Sequence, residues 1–524
     1  MSIISLQFIL FILILLICYY MIPSKYQWAV LLLGSVVFYF LNSKYCIIYV
    51  LLTSFSTYFS TISINKITSE QKKYFEENKE LSKEEKNNIK KSNNHKKRVI
   101  MIACLLFNFG ILSIFKYYNF FITQVNNGIN LFGGNIKFST YKFIVPLGIS
   151  FYTFQTMGYL IDVYWGKYEA ETNYLKVLLF NSFFPQIIQG PISDFKQLTN
   201  EFYKKHILDF SRISLALQRI TWGFYKKIVI ADQLAPQVMN VFENYQQLQR
   251  LTVIAGMFMY SIQIYADFSG YMDIMCGVCQ LFDIRLRENF DRPYFSKSVA
   301  EYWRRWHISL GDWFKKYLYY PIGMSKWNRN FSKKIGTRFN VKTQNLTATI
   351  ALIAVWFTTG LWHGATWSYI AWGGLNGLFI ILSMWLEPVN NKVKKILRIN
   401  EKSIIWKWFQ ILRTFILVTY IKVLPEVGTL ADGVGLWIAS FTNQLRPVNL
   451  FEIIPFEFST TFSLCIGIIL ILINSIMATD ESNLGIKNAN IIIKYILFVY
   501  LIVEIIIYGN FISPDMRGFM YAQF

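Results

Sequence analysis

The sequence predicts an all-α protein that crosses a membrane many times, and three observations carry that prediction. Of its 524 residues, 54% are hydrophobic and only 16% are charged, and the mean hydropathy is +0.33. That balance suits a chain solvated by lipid rather than by water. Apolar runs close to the roughly 20 residues that span a bilayer recur along the chain. The cations gather between those runs, as they do in loops kept on the cytoplasmic side.

The candidate spans are residues 3–22, 27–41, 45–65, 99–122, 142–165, 174–190, 211–231, 251–282, 347–363, 366–386, 405–424, 458–477 and 490–508. Several are short or carry polar residues and read as re-entrant or interfacial. The expectation is about 11–13 spanning or re-entrant helices in one membrane domain over residues 1–524. The first run, Ile3 to Tyr20, lacks a basic leader and a small-residue cleavage site, so it reads as a retained helix. Lys66 to Arg98 reads as a charged, helical, solvated linker, and its lysine excess places it in the cytoplasm. Three spans precede it, which puts the N-terminus outside. The basic loops Lys326–Lys342 and Lys392–Lys407 join the cytoplasmic side. No internal repeat is visible, so an inverted-repeat transporter is not supported.

The net charge of +21 would suggest nucleic acid in a soluble protein. Here the charge lies between apolar runs, and nucleic acid is not an expected partner. The six cysteines fall within apolar stretches, where the thiol behaves as a small hydrophobe. Cys276 and Cys279 have CxxC spacing but no second Cys/His pair for zinc and no βαβ setting, so they read as packing. No Walker loop, dinucleotide-binding glycine motif or GxSxG elbow is present, and no metal site is expected.

Two of the four histidines stand out. His95 and His206 lie in polar segments and read as solvated. His363 sits in the apolar run Val355 to Trp367. An ionisable group at membrane depth is costly and usually has a job. Desolvation keeps an imidazole neutral, and a neutral imidazole can act as a general base. A core histidine donating to a neighbouring carbonyl is the competing reading. Gly360 and Gly364 flank it and would permit a bend or close approach of a substrate.

His307 stands in Arg285–Gly323, where aromatics and cations interleave from Trp303 to Tyr317. Pro293 breaks this stretch, and Ser298 with Glu301 has the spacing of a capping box. An amphipathic helix lying at the cytoplasmic interface explains most of the pattern. Asp267 and Asp273 interrupt the run 251–282. They could orient a histidine, pair with Arg304 or Arg305, or tie helices together.

Taken together, Val145–Gln155, Gln189–Ile192, Gln263–Asp273, Glu288–Phe290 leading into Trp303–Gly323, and Gly360–Ala365 resemble the membrane-bound O-acyltransferase family. The resemblance covers about residues 140–380 and is nearest to the branch of bacterial alginate O-acetyltransferases. It implies a ring of helices around a central tunnel, with His363 as the catalytic residue and His307 as the second polar residue of the tunnel. It also implies transfer of an acyl group, acetyl in this branch, from a cytosolic thioester to a hydroxyl of an exported polysaccharide or envelope polymer in the bacterial cell membrane. The donor would be acetyl-coenzyme A or an acyl-carrier thioester, with no bound cofactor. An extracellular SGNH-like acetyltransferase is the implied partner. Arg304, Arg305, Lys315 and Lys316, with nearby Lys326, would attract the donor's phosphates, and Asp267, Asn289 and Trp362 are further substrate-binding candidates. Two departures bear on substrate. Lys315-Lys316 replaces an arginine-aspartate pair, and Asn376-Gly377 replaces a second His-Gly. D-alanyl transfer to teichoic acid is the alternative within the family. A non-catalytic carrier of acyl groups or lipid-linked sugars is the alternative outside it.

Overall fold

The computed structural model describes residues 1–446, 456–477, 490–509 and Phe519. Among these, every regular element is helical, and a lone β-bridge joins Phe290 to Trp306. Among the described residues, eight helical stretches are long and apolar enough to cross a bilayer: Ser24–Glu77, Lys83–Leu131, Arg250–Leu281, Thr343–His363, Trp367–Trp385, Ile404–Val423, Phe458–Ile476 and Ile491–Tyr508. The chain is thus a multi-pass membrane protein. It divides into two compact units, Met1–Leu208 with Phe282–Leu286, and Asp209–Leu281 with Arg287–Phe524.

The first unit opens with α1 (Leu6–Met21), capped by the Ser5 hydroxyl, which accepts from the Phe8 N–H. α2 (Gln27–Ser43) and α3 (Ile47–Glu77) follow, then α4 (Lys83–Leu131). The predicted charged linker is therefore a hairpin made by the extended ends of α3 and α4. Ser82 and Glu85 form a capping box at its turn, and Lys66–Glu70 and Lys73–Glu77 pair along its exposed face.

α5 (Ile149–Tyr164) begins after Gly148, whose φ of 67° is left-handed. A Cβ there would sit 1.6 Å from the Ile187 carbonyl oxygen, so only glycine fits. Nearly all of α5 is buried, and Thr156 donates to Asn181, which donates to Ser54. This polar thread ties α5 to α3 and to α6 (Tyr174–Ser182).

The predicted span 174–190 is not one helix. Phe183 breaks it, and α7 (Phe184–Ile187) carries Pro185 in its first turn, where the missing N–H costs nothing. α8 (Phe195–Tyr203) completes the series. His206 was expected to be solvated. Instead it is buried, with Nδ1 3.2 Å from an Asp283 oxygen. Its polar neighbours in sequence concealed a partner 77 positions away.

The second unit begins with α9 (Phe210–Tyr225), which widens into a π turn, Lys226–Ala231, and then α10 (Asp232–Asn244). α11 (Arg250–Leu281) packs along α9 and is mostly buried. The short helices α12 (Val299–Arg305), α13 (Ile308–Phe314) and α14 (Tyr320–Met324) precede α15 (Lys326–Phe339). α16 (Thr343–His363) and α17 (Trp367–Trp385) form an apolar hairpin. α18 (Glu387–Ile396), α19 (Ile404–Val423), α20 (Leu430–Thr442), α21 (Phe458–Met477) and α22 (Ile491–Tyr508) follow. None of the predicted spans corresponds to α20, which at 13 residues is too short to cross.

Candidate functional site

His363 is the last residue of α16. Gly364 is extended and ends the helix, and the Thr366 hydroxyl accepts from the Tyr369 N–H to start α17. The two helices touch backbone to backbone. A Cβ on Gly373 would lie 3.0 Å from Gly360 Cα, and one on Gly360 would lie 2.6 Å from the Tyr369 carbonyl oxygen. Small residues at a membrane helix crossing allow such an approach. The space predicted for a substrate beside Gly360 and Gly364 is thus taken by α17 and by the Tyr369 ring.

This crossing locks the His363 ring, which is 6% exposed. It lies edge-on to Trp372 at 4.8 Å and to Trp362 at 4.8 Å, and parallel to Tyr369 at 6.3 Å. It faces a small cavity of about 30 Å³. Tyr260 and Ile264 of α11, Trp303 and Trp306, and Lys422 with Glu426 supply the other walls. Trp303 is held by donating its indole N–H to Asn376 at 2.9 Å.

His307 lies at a break in the predicted amphipathic helix. Ser298 does cap α12, accepting from the Glu301 N–H, while Glu301 reaches back to the Lys297 N–H. The helix then stops after seven residues, and His307 adopts left-handed angles, φ 48° and ψ 52°. Asn289 holds this turn. Its carbonyl accepts from the Ile308 N–H at 3.0 Å and its side chain from the Ser309 N–H at 2.9 Å. A left-handed histidine is strained, and strain of this kind concentrates at functional sites. The ring is 2% exposed, edge-on to Phe268 at 5.0 Å and 6.0 Å from Trp362. Burial pushes its pKa down to about 3, so the imidazole is neutral at physiological pH. Trp362 is the side chain that joins the two histidines.

The sequence profile of the membrane-bound O-acyltransferase family matches residues 170–421. A peptidoglycan O-acetyltransferase of Helicobacter pylori is 31% identical over 413 residues, covering 71% of this chain and 73% of the relative. The chain belongs to the membrane-bound O-acyltransferase family. A protein named probable alginate O-acetylase from Azotobacter vinelandii is 37% identical over 278 residues, covering 53% of this chain and 52% of the relative. One with the same name from Pseudomonas aeruginosa is 35% identical over 346 residues, covering 65% and 60%. The chain thus spans about half to three fifths of the length of these two relatives.

Within this family member, the other predicted residues are dispersed. Asn289 is spent on the His307 turn. Asp267, 1% exposed, pairs with Lys227 at 2.8 Å, and Asp273 pairs with Arg219 at 3.0 Å and Lys226 at 2.6 Å. Both carboxylates therefore tie α11 to α9 and its π turn, by ion pairs with these cations rather than with Arg304 or Arg305. Arg304 is exposed. Arg305 pairs with Glu301 at 2.7 Å and faces a second cavity, of about 390 Å³, with Arg292, Lys297 and Lys407. Lys315 and Lys316 lie over the rings of Tyr320 and Tyr317.

Among the cavity residues missed from the sequence are Lys422 and Glu426. The signal was present: Lys422 is an ionisable residue inside an apolar run, the same argument that singled out His363.

Proposed function

We propose that this protein is an O-acyltransferase of the bacterial cell membrane. It moves an acetyl group from a thioester donor to a hydroxyl of an envelope polymer, directly or through an extracellular SGNH-like partner. One observation carries the reading most: a buried histidine, in the family's histidine motif, held rigidly at the wall of a cavity otherwise lined by aromatics, Ile264, Pro425 and two ionisable side chains, Lys422 and Glu426.

In this reading a ring nitrogen of His363 takes the proton of the hydroxyl. The oxygen bonds to the thioester carbonyl carbon, and the carbonyl electrons move onto its oxygen. The intermediate then collapses, the carbon–sulfur bond breaks, and the thiolate takes the proton back from the imidazolium. The surrounding indoles exclude water and so limit wasteful hydrolysis of the thioester. His307, neutral and fixed, positions the donor through Trp362.

The donor's phosphates dock at the cationic cavity of Arg292, Lys297, Arg305 and Lys407, where charge-assisted contacts are strongest. Acetyl-coenzyme A and a carrier's phosphopantetheine both meet that requirement. The lysine excess of the α3–α4 hairpin supports a cytoplasmic hairpin and an N-terminus outside. The homologues' polymers, alginate and peptidoglycan, suggest an acceptor rich in sugar hydroxyls.

The test is the O-acetyl content of envelope polymers in cells carrying His363→Ala, with membrane insertion checked by immunoblot. Loss of O-acetyl groups is expected, and unchanged content refutes the reading. A mere carrier would instead bind acetyl-coenzyme A saturably in detergent without transferring the acetyl group.

A further inference from the structure

Lys422 is 5% exposed. Its Nζ lies 3.6 Å from the centre of the Trp306 ring, with Tyr294 and Tyr302 at 4.9 and 5.2 Å. The Tyr294 hydroxyl accepts from Nζ at 2.9 Å and donates onward to the Ser261 carbonyl. Aromatic faces attract a cation most strongly where water is excluded. An ammonium has three donors, and Tyr294 uses one. Glu426 is held separately. A tight turn after α19, with the Glu426 N–H donating to the Val423 carbonyl, returns it to the same cavity. There it accepts from the Tyr369 hydroxyl at 3.2 Å, on the ring that lies parallel to His363.

We propose that these two residues are the oxyanion donor and the counter-carboxylate that complete the catalytic site. Lys422 donates to the thioester carbonyl oxygen as it becomes an oxyanion. Glu426, a positioning residue, offsets the positive charge that His363 gains with the proton. The inference rests on His363 being the base. Its physical basis is that general-base attack in a dry cavity separates charge, an imidazolium on one side and an oxyanion on the other. Separation is costly at low dielectric. A donor and a carboxylate already fixed in place lower that cost without reorganising during the reaction. The groups facing Glu426 are His363, Lys422, Tyr260 and Tyr369, so no second carboxylate among the cavity walls competes for the role; burial raises the Glu426 carboxyl to about 7, so it is ionised in the upper part of the pH profile.

The experiment uses membrane vesicles carrying the full chain and radiolabelled acetyl-coenzyme A. It counts base-labile label on the vesicles' own polymer as donor concentration and pH vary. Lys422→Met is expected to lower kcat about 100-fold, the cost of losing one oxyanion donor, with the donor KM within about threefold, and Lys422→Arg restores part of the loss. Glu426→Gln keeps the shape and the Tyr369 contact, and carries the test if Lys422→Met fails to accumulate. It is expected to lower kcat about tenfold and to move the rising limb of the pH profile toward acid, because a lost negative charge favours neutral imidazole. A defect confined to KM, a near-normal kcat for Lys422→Met, or an unmoved limb for Glu426→Gln overturns the proposal. His363→Ala in the same vesicles separates the two claims. Transfer that survives it refutes the base, whereas transfer lost there and intact in Lys422→Met refutes only the donor and the carboxylate.

Discussion

Trp303 donates its indole N–H to Asn376 at 2.9 Å, and so one wall of the His363 cavity is held by a buried amide on α17. Asn376 is itself tied down, its own N–H group donating to the Trp372 carbonyl. Replacing it with Ala leaves the Trp303 indole N–H unsatisfied, at about 1–3 kcal/mol, while the Trp372 carbonyl keeps its helical partner. The melting temperature in detergent should fall by several degrees. Asn376→His, which can still accept from the indole, should fall less.

Asp267 is expected to matter for folding rather than for substrate. Asp267→Ala leaves Lys227 buried with only part of its compensation, and breaking a buried pair costs about 3–5 kcal/mol. Thermal unfolding should show that loss, while transfer per folded molecule stays close to wild type. A normal melting temperature with collapsed transfer would return Asp267 to the list of substrate contacts.

The α16–α17 crossing predicts a sharp contrast between neighbouring glycines. Gly360→Ala drives a methyl against the Tyr369 carbonyl, whereas Gly374 has open space around it. Overpacking costs about 1–3 kcal/mol. Gly360→Ala should reduce both stability and transfer, and Gly374→Ala should change neither.

Acid should destabilise the protein through its buried histidines. The folded pKa of His307 is about 3, below the 6.5 of a free imidazole, and His206 is lowered by the same cause, burial. Between those values the unfolded chain binds more protons, so stability is fully present above about 6.5 and declines as pH falls toward 3. For His307 the slope approaches about 1.4 kcal/mol per pH unit, and His206 adds in the same direction. Melting temperatures measured from pH 7 to pH 5 should fall, and His307→Gln should flatten part of that slope.

How much of this was legible depended on the range of the interaction. The long spans could be read because hydrocarbon imposes its demand on every residue of a helix in turn. His363 could be read because a lone imidazole in an apolar run is conspicuous. Lys422 is equally exceptional, but a lysine two residues from the end of an apolar run reads as one that snorkels to the interface. Its aromatic enclosure comes from Tyr294, Tyr302 and Trp306, more than a hundred positions away. The same holds for His206 and Asp283, and for Asn289, whose side chain builds a turn 20 residues downstream. The break at Trp306–His307 was hidden for another reason. The residues there keep the composition of an amphipathic helix, and it is the capping by Asn289 and the Phe290–Trp306 bridge that make the interruption favourable.

α4 is 49 residues long, so it extends about 74 Å at 1.5 Å per residue. The oily part of a bilayer is only about 30 Å thick. Its charged end, from Lys83 to Arg98, therefore stands in water as one leg of a stiff two-legged post, the other leg being the end of α3. Such a post sets a distance. Any protein that grips its tip is held tens of ångströms off the membrane surface.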